Sequence, residues 1–118
     1  MERLKNRPDF LRAAKGVRRV TPAITLEVCE TPLASTKPGV LRVGFTASRK
    51  IGGAVQRNRA KRRLRAAAAA VLPLSGLPGN DYVLVARRDT LTRPFDGLLE
   101  DLASALHAAH ARLGRPPA

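Results

Sequence analysis

The chain contains 118 residues, and its 22 Lys and Arg against 9 Asp and Glu give a formal net charge of +13. Because 44% of the residues are hydrophobic, the chain is expected to fold as one domain, and a disordered basic tail is excluded. The excess of positive charge indicates a polyanionic partner, with nucleic acid as the first candidate and a membrane surface as the second.

A membrane partner is disfavoured, because no apolar run approaches the length of a bilayer span and the first ten residues lack the apolar core of a signal peptide. Cys29 is the only cysteine, which excludes a disulfide framework and a cluster of thiolate metal ligands. These features predict a cytoplasmic protein.

The first predicted element in chain order is a short helix, since Pro8 and Asp9 suit its first turn and Gly16 its end. Two strands with alternating apolar residues follow, over residues 23–29 and 40–48, separated by a loop with prolines and a glycine. We expect these two strands to pair as an antiparallel hairpin with a long turn.

A cationic helix is predicted from about Ala54 to Leu72, with Pro73 expected to end it. The segment 82–86, YVLVA, is apolar on both faces and predicts an interior strand. Pro94 is expected to open a last helix that ends at Gly114. Seven residues at helical spacing form its predicted apolar stripe: Phe95, Leu98, Leu99, Leu102, Leu106, Ala109 and Leu113.

The resulting order, αββαβα, predicts an α+β domain in which the helices pack on a single small β-sheet. The domain is expected to cover residues 1–118, with an ordered core over about 3–113 and a flexible tail over 114–118.

The cationic helix contains six cations that no carboxylate neutralises: Arg57, Arg59, Lys61, Arg62, Arg63 and Arg65. A thin apolar stripe of four residues is expected to seat this helix on the core, and it consists of Ala60, Leu64, Ala67 and Val71. A solvated charged face normally mixes signs, because like charges at i,i+4 repel each other. The run of cations therefore predicts contacts with RNA phosphates, which arginine forks suit.

Further RNA contacts are expected from Arg49 and Lys50, which lie just before this helix. The Gly52-Gly53 turn that follows them is compatible with an anion site at the helix N-terminus, but two glycines before a helix are a weak signal and favour a plain turn.

The chemistry of a protein nuclease is missing from the sequence, because its nine acidic residues are scattered. His107 and His110 lie one helical turn apart, but two histidines alone favour a surface pair over a metal site. Cys29 is most simply a packing residue of its strand. These observations predict no catalytic residue, and no metal or other cofactor held by the protein alone.

The chain resembles the bacterial ribonuclease P protein subunit in a long stretch over residues 42–65, RVGFTASRKIGGAVQRNRAKRRLR. Its R-N-R-x-K-R-x-x-R helix motif is met by Arg57, Asn58, Arg59, Lys61, Arg62 and Arg65. The segments RLKNRPDFLRAAKG and DYVLVAR resemble two other motifs of that family, and element order agrees from about Arg3 to Leu113.

The resemblance implies an αβββαβα-like fold with a left-handed βαβ crossover, like that of the second domain of a small-subunit ribosomal protein. It also implies a protein that assists ribonuclease P in removing the 5′ leader of precursor tRNA, while the RNA subunit and its Mg²⁺ perform the hydrolysis. The cationic helix would contact the catalytic RNA, and a cleft containing Phe10 would hold the leader. No stable protein partner is implied.

Two positions depart from the family pattern. Family members often carry aromatic residues where this chain has Ala14 and, in the first predicted strand, Glu27. The resemblance therefore implies a leader cleft with fewer stacking platforms, in which Glu27 would repel phosphate unless it is paired.

Two other functions fit the charge alone. A ribosomal or ribosome-assembly protein is also small and basic, but the R-N-R-x-K-R-x-x-R motif and its surrounding sequence are not expected in such a protein. A double-stranded DNA binder would place the cationic helix in a major groove, but besides its cations this helix offers few neutral polar residues, such as Asn58, to read bases.

Overall fold

The computed structural model describes residues 1–113 of the chain. Five strands and three helices follow one another as β1 (Glu2–Arg3), α1 (Arg7–Ala14), β2 (Val17–Val20), β3 (Ile24–Glu30), β4 (Arg42–Thr46), α2 (Ala54–Ser75), β5 (Asn80–Ala86) and α3 (Phe95–Arg112). Short 3₁₀ turns at Leu33–Ser35, Arg49–Ile51 and Arg88–Leu91 connect them. The tail and the helix end expected at Gly114 lie outside the described residues.

The strands form one mixed sheet in the order β1-β4-β5-β3-β2. β5 lies at the centre, parallel to β4 and antiparallel to β3. The α+β class and the αβββαβα-like order are confirmed, with β1 as a short addition at the edge. β4, α2 and β5 form the βαβ unit, and the left-handedness of its crossover stays a prediction.

The predicted hairpin between the strands at 23–29 and 40–48 is wrong, because β5 lies between β3 and β4. Alternation shows which side chains face the core, but it does not show which strand is the neighbour. β5 is buried at six of its seven positions, and such a strand is stabilised most at the sheet centre. The true hairpin pairs β3 with β2, whose sequence VRRV has too little apolar character to predict a strand.

One face of the sheet carries the main core. Side chains of β3, β4 and β5 pack there against α2 and α3, through residues such as Leu26, Phe45, Leu84, Leu64 and Leu102. α1 covers part of the opposite face, where Leu4, Ala13 and Val83 form a smaller core. The sheet therefore separates α2 from α1.

The prediction that Pro73 ends the cationic helix is wrong, because α2 continues to Ser75. A proline lacks the backbone N–H group that donates within a helix. In the exposed last turn of a helix, this removes few of the helical hydrogen bonds. The amide of Gly76 closes the helix by donating to the carbonyl of Leu72 at 2.8 Å. Within residues 1–113, no helix combines the length and the apolar composition that a membrane crossing requires.

Candidate nucleic-acid interface

The apolar stripe expected on α2 seats this helix on the core. Ala60, Leu64 and Ala67 are fully buried, whereas Val71 is half-buried and Leu72 takes its place deeper in the core. The narrow seam leaves both flanks of the N-terminal half of α2 open to solvent.

The six motif residues of α2 lie on these flanks. Asn58, Arg59, Arg62 and Arg65 are exposed, and Arg57 and Lys61 are half-buried. Among the described residues, none of the five cations makes an ion pair with a carboxylate. The charges on α2 are therefore uncompensated within the described part of the chain, and their role in RNA binding stays a prediction.

Arg63 differs from the other cations of the run. Its Nε donates to the carbonyl oxygen of Thr90 at 2.8 Å, and its Nη2 donates to the carbonyl oxygen of Arg93. These bonds tie α2 to the turn that precedes α3. Part of the hydrogen-bonding capacity of Arg63 is thus used within the protein itself. The pattern of charges in the sequence does not reveal this.

Arg49 and Lys50 are exposed in the turn that precedes α2. This turn needs a glycine at position 52, where φ is +141°, a value that other residues rarely adopt. Lys50 lies away from the α2 cations, in a groove of about 520 Å³ over the open part of the α1 side of the sheet. Three further cations line the same groove, and they are Arg18, Arg87 and Arg88.

Phe10, which the resemblance assigns to the leader cleft, lies on the α1 side of the sheet. Its half-buried ring packs over Gly44 of β4, where a Cβ atom would come within 2.5 Å of Phe10 Cε1. Gly44 therefore makes room for the ring. Val83 lies beside Gly44 on β5, and Glu27 lies beside Val83 on β3, so that Phe10 and Glu27 flank Val83 across three strands.

Glu27 is half-buried, and burial raises the pKa of its carboxyl above the ordinary value of 4.5. Arg18 lies opposite Glu27 in the β2–β3 pair, and its positive charge lowers the pKa of the Glu27 carboxyl. The carboxyl of Glu27 thus faces the open sheet beside an arginine.

A buried ion-pair network holds α1 to the sheet, and the sequence alone did not reveal it. Arg42 donates to both carboxylate oxygens of Asp81, at 2.8 and 2.7 Å, and to Asp9 at 3.3 Å. Thr31 donates to Asp81 at 2.7 Å, and Arg12 donates to Asp9 at 2.9 Å. The three resembling motifs supply all of its charged members, because Asp9 and Arg12 lie in the first motif, Arg42 in the second and Asp81 in the third.

The same network shifts the ionisation of its members. The hydrogen bond from Arg12 lowers the pKa of Asp9, and Arg42 lowers it further while burial opposes both effects. Hydrogen bonds to Asp81 raise the pKa of Arg42. The carboxylate of Asp9 is therefore held as an anion by its two arginine partners.

The interpretation of His107 and His110 as a surface pair is wrong for His110. Its side chain is buried, because position 110 continues the buried stripe of α3 one turn after Leu106. The Nε2 atom of His110 lies 2.8 Å from the hydroxyl of Tyr82, while His107 is exposed. No group of three or more His, Cys, Asp or Glu side chains in residues 1–113 is placed to hold a metal ion.

The chain is similar over most of its length to ribonuclease P proteins. A family model described as Ribonuclease P matches residues 1–110. The ribonuclease P protein component of Ruegeria pomeroyi is 50% identical over 109 residues, which is 92% of this chain and 86% of that protein. The protein component of Caulobacter vibrioides is 49% identical over 114 residues, which is 97% of this chain and 74% of that protein.

Solved structures show the same fold. The RNase P protein from Thermotoga maritima superimposes with a TM-score of 0.73 at 24% identity, over 92% of this chain and 97% of that one. The Staphylococcus aureus RNase P protein gives a TM-score of 0.69 at 24% identity, over 92% and 95% of the two chains. The chain therefore belongs to the family of ribonuclease P protein components, whose known role is the processing of the 5′ leader of precursor tRNA.

Proposed function

We propose that this chain binds the catalytic RNA of ribonuclease P through α2 and the leader of precursor tRNA through the α1 side of the sheet. The RNA subunit, with Mg²⁺ that it binds itself, would perform the hydrolysis. The polypeptide would act as its auxiliary subunit, in the cytoplasm where the proposed substrate is processed.

One observation carries this proposal, and it is the line of uncompensated cations on α2. Like charges spaced three and four residues apart destabilise a helix by a few tenths of a kcal/mol per pair. Contact with a phosphate backbone would turn this repulsion into attraction, since a cation that neutralises a phosphate also releases a counterion. A folded RNA can supply several such phosphates along one helix.

The position of the leader site is supported by the separation of α1 from α2. The groove with Arg18, Lys50, Arg87 and Arg88 lies on the side of the sheet that α2 does not cover, and its wall includes Val85, which packs against the same smaller core as Phe10. A single-stranded leader can follow such a basic groove and stack a base on an aromatic ring. One small domain could thereby contact the ribozyme and its substrate at the same time.

Hydrolysis is assigned to the RNA because the two carboxylates that come together are already engaged. Asp9 and Asp81 both bind Arg42, which leaves them poorly suited to hold a catalytic cation or to move a proton. Mg²⁺ bound by RNA would supply the activated water and stabilise the leaving oxygen.

Reconstitution tests the proposed function. Precursor tRNA is incubated with the chain, with a catalytic RNA of bacterial ribonuclease P, or with both. The magnesium concentration is set too low for the RNA to remove the leader by itself. We expect leader removal only when both components are present. Cleavage by the chain alone, or no stimulation of the RNA, would contradict the proposal.

Replacing Phe10 with Ala should weaken binding of precursor tRNA to the reconstituted enzyme by about five- to a hundredfold, because one base loses its stacking partner. Binding of mature tRNA should not change. Both affinities are measured by equilibrium titration, and the thermal unfolding of each variant is recorded because Phe10 also contacts the smaller core. Leu11→Ala is the matched control, since Leu11 is half-exposed on the same helix. Equal losses for the two tRNAs would assign Phe10 to packing alone.

Replacing Glu27 with Gln should strengthen binding of the leader, because a carboxylate beside the phosphates is removed. The raised pKa gives the effect a pH dependence. The neutral carboxyl prevails at low pH, and ionisation weakens both leader binding and folding as the pH rises through the folded-state pKa, which lies above 4.5. Leader affinity measured from about pH 4.5 to 8 should therefore fall more steeply for the wild type than for Glu27→Gln. Parallel pH profiles would show that Glu27 does not face the leader.

A further inference from the structure

Phe95 is exposed although the sequence pattern assigned it to the apolar stripe of the last helix. Its side chain is the first of α3, and 40% of its surface is accessible. The chain has only three Phe and one Tyr. Tyr82 and Phe45 lie in the main core and Phe10 is half-buried, so Phe95 is the most exposed of the four Phe and Tyr side chains.

A concave site of about 270 Å³ lies between this ring and α2. Three arginines, one alanine and the aromatic ring line it, and they are Arg59, Arg62, Arg63, Ala66 and Phe95. The site is smaller than a typical pocket for a drug-sized ligand. Its walls combine a flat apolar surface with guanidinium groups, which is the composition that stacks a nucleobase and holds its phosphate.

The floor of this site is rigid because Arg63 joins two elements. Its guanidinium donates to the carbonyl oxygens of Thr90 and Arg93, in the segment that leads into α3. Arg93 is itself held by Asp101, with N–O distances of 2.8 and 3.0 Å. These bonds fix the start of α3, and with it Phe95, relative to α2. A site formed before binding loses less entropy when it is occupied.

The rim of the site is free to contact a ligand. Arg59 and Arg62 are exposed, and neither makes a hydrogen bond or an ion pair to another side chain in the described part of the protein. Both lie on the helix that we propose to face the catalytic RNA. Because the cations continue along α2 in both directions, a polymeric anion fits this surface better than a free nucleotide.

We propose that Phe95 and the arginines around it form a pocket for one unpaired nucleotide of the catalytic RNA. The base would stack on Phe95, and the flanking phosphates would contact Arg59 and Arg62. Stacking on a side chain requires a base that is free of its helix, so the pocket selects a loop, a bulge or a strand end. This inference rests on the proposed function, which places α2 against the RNA.

A single tryptophan tests the proposal, because the chain contains none. We expect the fluorescence of Phe95→Trp to be quenched when catalytic RNA is added, with the same midpoint as binding measured by anisotropy of labelled RNA. Leu33→Trp is the control, since Leu33 is 95% exposed in the turn between β3 and β4 and does not line the site. Binding of the RNA without a change in the tryptophan emission of the Phe95→Trp variant would overturn the proposal.

The affinity of further variants separates stacking from simple apolar contact. Phe95→Ala should bind catalytic RNA about five- to a hundredfold more weakly, with an unchanged dependence on salt, because no phosphate contact is lost. Phe95→Leu should be weakened similarly, and Phe95→Trp should retain binding. Wild-type affinity of Phe95→Leu would overturn the stacking pocket but leave the α2 interface intact. A wild-type chain that does not bind the RNA would instead overturn the proposed function.

Discussion

Replacing Arg42 with Met should lower the free energy of unfolding by about 3–5 kcal/mol, because it leaves two carboxylates without their buried partner. The side chain of Arg42 is 12% exposed, that of Asp81 is 0% exposed, and that of Asp9 is 12% exposed. Met fills a similar volume, so the loss measures the charge and its hydrogen bonds. For a domain of this size the loss is a large part of the total stability. Urea unfolding followed by circular dichroism provides the measurement.

Arg12→Ala is the control for this stability experiment. Arg12 also binds Asp9, but its side chain is 41% exposed, and we expect a loss of less than about 1 kcal/mol. A loss below about 1 kcal/mol for Arg42→Met would show that the network does not hold α1 to the sheet. Asp81→Asn should behave like Arg42→Met, since it removes the charge that Arg42 contacts with two hydrogen bonds.

Replacing both Arg59 and Arg62 with Ala should weaken binding of the catalytic RNA on the order of tenfold or more near about 0.15 M salt. If each side chain neutralises one phosphate, the slope of log affinity against log salt should become less steep by about 1.4 to 1.8. Both side chains are exposed, so the fold should be unaffected. Titration of labelled RNA at several salt concentrations gives affinity and slope together.

The matched control removes the same two charges elsewhere. Lys15 and Arg112 are exposed at the ends of α1 and α3, and a Lys15→Ala, Arg112→Ala variant has the same net charge as the α2 variant. We expect its RNA affinity to stay close to that of the wild type. If the two variants lose affinity equally, the RNA senses only the net charge and α2 is no specific interface.

The local elements could be predicted from the sequence because their signals are local. Pro8 and Asp9 mark the start of α1, alternation identifies β3 and β4, and Pro94 marks the start of α3, all of which the structure confirms. The family was also recognisable, because the motif over residues 42–65 is long and specific.

Strand pairing could not be predicted from the same signals. The alternation in β3 and β4 shows which side chains face the core, and it is compatible with any neighbouring strand. A hairpin between two strands that follow each other in the chain is only the simplest of these pairings. β2 was missed because its residues are half-buried or exposed at a sheet edge, where little apolar character is needed.

The candidate site was predictable as a charge pattern but not as geometry. The spacing of the cations in the sequence is enough to predict that they lie on the flanks of α2. The hydrogen bonds of Arg63 and the position of Phe95 depend instead on how the segment before α3 packs against α2. Likewise, the partner of the buried His110 is the hydroxyl of Tyr82 in β5, which is distant in sequence. Such tertiary contacts leave no mark in local periodicity.

The two surfaces can be distinguished by cross-linking from one introduced cysteine at a time. Asn58→Cys places a thiol on α2, and Ala14→Cys places one on α1, both at exposed positions. Burial raises the pKa of the native Cys29 to about 11, so it should react slowly with a photoreactive maleimide near neutral pH. Each labelled variant is then assembled with catalytic RNA and precursor tRNA, and irradiated.

We expect residue 58 to cross-link to the catalytic RNA and residue 14 to cross-link to the leader of the precursor tRNA. Mapping the cross-linked nucleotides by primer extension identifies each RNA partner. Cross-links from residue 58 to the leader, or from both positions to the same RNA, would contradict the assignment of α2 to the ribozyme and of the opposite side of the sheet to the substrate.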